Sequence, residues 1–139
     1  ASDRLVVVGS GPLLGDLVRS RPDNVRILTD LTDPEVRWIY AHATALVAPS
    51  FEDFGLTPLE AGAHGKPTVA LRWGGYLDTV DPSVNGEFFE TPTARDIRAA
   101  LDRVSSRVWD RSTIQAHVAT FSEERFIRGI RAHVDRFSR

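Results

Sequence analysis

"ALVAPSFEDFGLTPLEAGAHGKPTVAL", residues 45–71, holds the pattern that decides the fold. A short apolar run, Leu46–Ala48, ends in Pro49-Ser50, and a second, Thr68–Leu71, begins after Lys66-Pro67. Between them lie an acidic loop and a segment with helix-starting chemistry. Thr57 suits an N-cap, Pro58 the first helical position and Glu60 the third. Strand, loop, helix and strand in that order make a βαβ unit, whose two strands run parallel.

The alternation extends outward in both directions. Leu5–Val8 is a β-branched run that ends in Gly9-Ser10-Gly11-Pro12, and a helical stretch over residues 13–19 follows. Val25–Leu28 comes next, then "TDLTD" and a helix opening at Pro34 with Asp33 as its N-cap. Gly86–Phe89 is a weaker fifth run. The sequence therefore predicts an α/β fold, a Rossmann-like parallel sheet of about five strands with helices on both faces. The last third turns helical. Ile97, Ala100, Leu101 and Val104 recur at helical spacing. So do Phe126, Ile127, Ile130, Val134 and Phe137, behind Ser122 as N-cap with Glu123 and Glu124 in the first turn.

Composition narrows the function classes. The chain has 139 residues, a length that suits one domain, and a net charge of −2 that recruits neither nucleic acid nor an anionic membrane. It has no cysteine, which excludes disulfides, thiol nucleophiles and cysteine-ligated metals. No apolar run approaches a membrane span and no signal peptide is visible, so a cytoplasmic setting is expected. His42, His64, His117 and His133 have no metal-ligand spacing and read as surface or satisfied core residues. Trp38, Trp73 and Trp109 read as packing residues. Arginine outnumbers lysine sixteen to one, but the arginines are spread among acids and form no patch.

The acids between the two strands carry the functional question. In an open parallel sheet, ligands bind beyond the carboxyl ends of the strands, and the loop over residues 49–55 leaves a strand at that edge. The helix start behind it points free N–H groups and the positive end of its dipole toward the same edge, an arrangement suited to phosphate. Gly55 lets backbone approach a ligand closely. Glu52 on the loop and Glu60 on the helix can flank one elongated ligand that has hydroxyls at both ends and phosphate in the middle. A nucleoside diphosphate sugar has that layout. Plainer alternatives stay open. Thr57 and Glu60 also spell a capping box, and Glu52 and Asp53 can be ordinary solvated loop acids.

The pattern resembles family 4 of the retaining glycosyltransferases, which have the two-domain GT-B fold. The family's E-x₇-E signature has its counterpart in the segment Glu52-Asp53-Phe54-Gly55-Leu56-Thr57-Pro58-Leu59-Glu60. "VVVGSGP" upstream resembles the family's Gly-x-Gly-Pro turn, and "GGYLDTV" with "NGEFFE" downstream resembles its later segments. Within the family, the GDP-mannose enzymes look nearest. The resemblance implies that Glu60 binds the ribose hydroxyls and that Glu52 is the catalytic-site carboxylate facing the transferred sugar. It implies that backbone N–H groups at Phe54, Gly55, Leu56 and Thr57 line sugar and pyrophosphate, and that Asp30, Leu31 and Thr32 lie against the base. Gly74 and Gly75 approach the donor or form a plain tight turn. Asp78 stands where the family usually has Glu, which puts a direct role for it in doubt.

The resemblance covers only the donor-binding half of a GT-B enzyme. The expected chain, residues 1–139, is thus a nucleotide-sugar-binding C-terminal domain excised from a longer protein. Its start at Ala1 and its lack of any methionine fit that expectation. The acceptor-binding domain lies elsewhere, as does an Arg…Lys pair that neutralises pyrophosphate; Lys66 and Arg72 are the basic candidates nearby. The implied activity of the whole protein is metal-independent transfer of a hexose with retention, with no cofactor. Any membrane contact, peripheral and at the inner face, belongs to the missing domain. A GT-B sugar-nucleotide epimerase and a non-enzymatic flavodoxin-like binding domain are the rival readings.

Overall fold

The computed structural model describes residues 3–137. The chain divides into two compact units, Ala1–Trp38 and Ile39–Arg139. All five expected strands form, at the expected positions, and all pair in parallel. They make two hydrogen-bonded ladders among the described residues, where the sequence suggested one. One ladder falls in each unit.

In the first unit, β1 (Leu5–Val8) pairs with β2 (Val25–Leu28) in the register Leu5 to Val25 through Val8 to Leu28. Helix α1 (Leu14–Ser20) joins them. It begins one residue later than the apolar run suggests, because Leu14 N bonds to Gly11 O and leaves residues 12 and 13 in a turn. Helix α2 (Asp33–His42) begins in this unit and runs on past Trp38. Its cap is Thr32, not Asp33. Glu35 Oε2 accepts from both Thr32 N (2.8 Å) and Thr32 Oγ1 (2.6 Å), and Val36 N bonds to Thr32 O. Thr32 and Glu35 therefore make one half of a capping box, the Glu35 carboxylate reaching back to the Thr32 N–H, one residue ahead of the expected start. The two bonds from Thr32 hold the Glu35 carboxyl below its usual range.

In the second unit, β3 (Leu46–Ala48), β4 (Thr68–Leu71) and β5 (Gly86–Phe89) form one ladder with β4 in the centre. All four residues of β4 are buried, so both faces of the sheet are covered there. Helix α3 (Leu56–Ala63) packs on β3 and β4, and α5 (Ala94–Ser105) packs on β4 and β5. Ala48, Val69, Ala70, Leu71, Tyr76, Val80, Phe88, Phe89, Ala100 and Val104 make the core. Burying a side chain such as Val69 or Phe89 contributes about 1.5–3 kcal/mol. Helix α4 (Tyr76–Thr79) is a single short turn. Buried Asn85 closes the loop behind it, donating to Thr79 O (3.0 Å) and accepting from Asp81 N (2.7 Å).

Helix α6 (Arg111–Ala119) packs against α3 and buries Ile114 completely. Its cap, Asp110, accepts from Ser112 N and Thr113 N and from both of their hydroxyls. Helix α7 (Glu123–Phe137) starts behind Ser122 as expected, since Phe126 N bonds to Ser122 O and Arg125 N to Ser122 Oγ. Its apolar stripe is not buried, however. Phe126, Ile130, Val134 and Phe137 are all exposed. No helix among the described residues is long and apolar enough to cross a membrane.

Candidate functional site

Helix α3 starts two residues earlier than its sequence suggests. Gly55, with φ +79°, is the N-cap, and no side chain caps the helix. Thr57 is thus the second helical residue rather than the cap, and Pro58 the third. The capping-box alternative for Glu60 falls with that shift, because Glu60 now lies beyond reach of a cap position at Gly55. Proline has no N–H, so the free donors at the helix end are the backbone groups of Gly55, Leu56 and Thr57. None of them has an acceptor among the described residues.

Gly55 is set by what surrounds it. A Cβ there would sit 2.6 Å from the Tyr76 ring, which is buried and cannot move aside. The loop before it rests on the Gly74-Gly75 turn. Gly75 N donates to Glu52 O at 3.0 Å, a Cβ on Gly74 would meet Glu52 O at 2.3 Å, and one on Gly75 would meet Phe54 O at 2.2 Å. The glycine pair therefore lets the two backbones touch. That contact accounts for both glycines through packing alone. Phe51 adds an edge-to-face contact with Trp73, at 5.2 Å between ring centroids.

Each of the two glutamates is held by a hydroxyl. Ser50 Oγ donates to Glu52 Oε1 (3.1 Å) and lies 3.0 Å from Tyr76 Oη. A carboxylate only accepts, so the single Ser50 proton goes to Glu52 and Tyr76 donates to Ser50. The result is a relay from the buried Tyr76 through Ser50 to Glu52. Tyr40 Oη donates to Glu60 Oε2 at 2.8 Å, and the Tyr40 ring stacks on His64 at 5.8 Å. Burial first, and then the Glu60 carboxylate, push the Tyr40 hydroxyl well above its usual range, so it keeps its proton. The second oxygen of each glutamate is unengaged among the described residues. Glu52 and Glu60 are both exposed to solvent. Sequence reasoning missed Tyr40, Ser50 and Tyr76. Only the Ser-x-Glu spacing of Ser50 and Glu52 offered any local signal.

The remaining expected site residues are distributed as follows. Asp30, Leu31 and Thr32 lie in the loop between β2 and α2, in the first unit, where Asp30 takes the left-handed φ of +55°. Asp78 is exposed on α4. Arg72 pairs with Glu90 at 2.7 Å and stacks over the Phe88 ring. Among the histidines, His117 Nε2 lies 3.2 Å from Thr79 O and His133 contacts the Phe137 ring, in keeping with structural roles. Trp109 packs on the core and donates to Val104 O, as expected of a packing residue. Trp38 departs from that expectation and is 62% exposed.

Residues 1–107 match the family model described as "Glycosyl transferases group 1". The chain belongs to that family. Among curated relatives, the glycogen synthase of Chlamydia pneumoniae is 41% identical over 90 residues, which cover 63% of this chain and 19% of that protein. The alpha-1,3/1,6-mannosyltransferase ALG2 of Dictyostelium discoideum is 34% identical over 83 residues, covering 59% of this chain and 20% of its own length. Among solved structures, the sucrose-phosphate synthase from Thermosynechococcus elongatus superposes with a TM-score of 0.78 at 25% identity, covering 97% of this chain and 39% of that one. This glycosyl transferase chain thus spans about a fifth of the length of the curated relatives it matches. The expected membership and the α/β fold with parallel strands both stand.

Proposed function

We propose that this chain is the donor-binding domain of a retaining hexosyltransferase. In the whole protein it binds a nucleoside diphosphate sugar, and an acceptor-binding domain completes the cleft. Supporting this is the way the two glutamates bracket a helix end. Glu52 precedes the free N–H groups of Gly55, Leu56 and Thr57, Glu60 follows them on the same helix, and each offers one unengaged carboxylate oxygen. Pyrophosphate at the helix end meets backbone donors and the positive end of the dipole. Glu60 then takes the ribose hydroxyls and Glu52 those of the hexose.

Fixed dipoles aimed at a departing diphosphate stabilise the charge that develops on it. No metal is needed in this scheme, and transfer should persist in EDTA. Mannose from GDP-mannose is the donor favoured by the resemblance. A cytoplasmic setting belongs to the same proposal. The test is a calorimetric screen of the whole protein against GDP, UDP and ADP and their hexose conjugates. One diphosphate and its sugar conjugate should bind well below millimolar. The reading fails if none of the six does.

A further inference from the structure

We propose that Tyr40 is a positioning residue for nucleotide recognition: its hydroxyl anchors one oxygen of Glu60 so that the other is presented to the ribose. The inference rests on the donor-site reading above and names a residue outside the glycosyltransferase signature. Its starting point is the 2.8 Å bond from Tyr40 Oη to Glu60 Oε2. Glu60 is exposed, and no other contact among the described residues holds its carboxylate. An unrestrained glutamate samples several rotamers and must give them up when a ligand binds. One bond to Oε2 fixes the plane of the carboxylate and leaves Oε1 with its acceptor sites open.

The anchor is itself well held. Tyr40 is half-buried, and its ring stacks on His64 at an interplanar angle of 16°. His64 is the C-cap residue of α3, the helix that carries Glu60. Tyr40 and Glu60 are therefore tied through the same helix at two points. Burial and the neighbouring carboxylate keep the Tyr40 proton in place, so Tyr40 acts as donor throughout the neutral range.

The test uses the whole protein and the tightest binder among ADP, GDP and UDP, compared with its 2′,3′-dideoxy counterpart. Tyr40→Phe keeps the ring and deletes the hydroxyl. It should weaken the ribonucleotide about five- to tenfold, the scale of ordering one released side chain on binding. It should leave the dideoxy nucleotide within about twofold, because that ligand has no hydroxyl for Glu60 to take. Glu60→Ala should abolish the preference for ribose, and adding Tyr40→Phe to it should cost nothing more. The ratio of the two affinities is insensitive to any fraction of variant that fails to fold. Equal losses for both nucleotides would make Tyr40 a mere tie between helices and overturn the inference, with the donor-site reading intact. A ribose preference that survives Glu60→Ala would overturn the donor-site reading and the inference with it.

Discussion

Gly55 adopts φ +79° with the buried Tyr76 ring against its α-carbon, and the start of α3 depends on both facts. Any other residue would pay about 1–2 kcal/mol for the left-handed conformation, and its Cβ would also displace the ring. Gly55→Ala should therefore cost at least about 2 kcal/mol in chemical denaturation. A change under about 0.5 kcal/mol would mean the loop relaxes freely and does not fix the helix start. At this scale the sequence disclosed the acids and hid what holds them. Glu52 and Glu60 stand out by spacing and loop position. Tyr40 and Tyr76 reach their partners across 20 and 26 residues of chain, and no local pattern encodes such a contact. The shift of α3 has the same origin. Thr57-Pro58 is sound helix-start chemistry, but the packing of Gly55 on Tyr76, 21 residues on, overrides it.

Side-chain caps start α5, α6 and α7, and Asp110 at the head of α6 accepts more bonds than Thr93 or Ser122. Four donors from Ser112 and Thr113, the Ser112 hydroxyl foremost, lower its carboxyl from 3.8 to about 2. Because the folded value is the lower one, the ion stabilises the fold above about pH 4. That contribution fades as pH falls toward 2. Wild type should thus exceed Asp110→Ala in stability near neutrality, with the gap closing between about pH 4 and 2 in denaturant titrations. A gap that stays constant through that range would show that the charge of Asp110 plays no part. Strands were the elements most legible in the sequence. Runs such as Leu5–Val8 and Thr68–Leu71 are short, branched and bounded by turn residues, and the structure keeps their limits. Helix α6 was not legible, because it buries only Ile114 and so has no apolar stripe to read. The stripe of α7 was read correctly as helical, but periodicity could not say whether anything covers it.

At the scale of the molecule, family membership came from the order of segments rather than from any one motif. E-x₇-E alone is a common spacing, and its weight here comes from the strands and glycine turns around it. The division of the chain at Trp38 was not visible, since α2 runs through it without a break in helical pattern. The central claim is that Glu60 grips the nucleoside side of a donor and Glu52 its sugar side. Calorimetry on the whole protein tests this most directly, comparing a nucleoside diphosphate with its hexose conjugate in Glu60→Gln and Glu52→Gln. Glu60→Gln should weaken both ligands about tenfold, the lower end for a lost charge-assisted bond. Glu52→Gln should weaken only the conjugate, by a similar factor. Equal losses for both ligands at Glu52, or none at Glu60, would contradict the assignment.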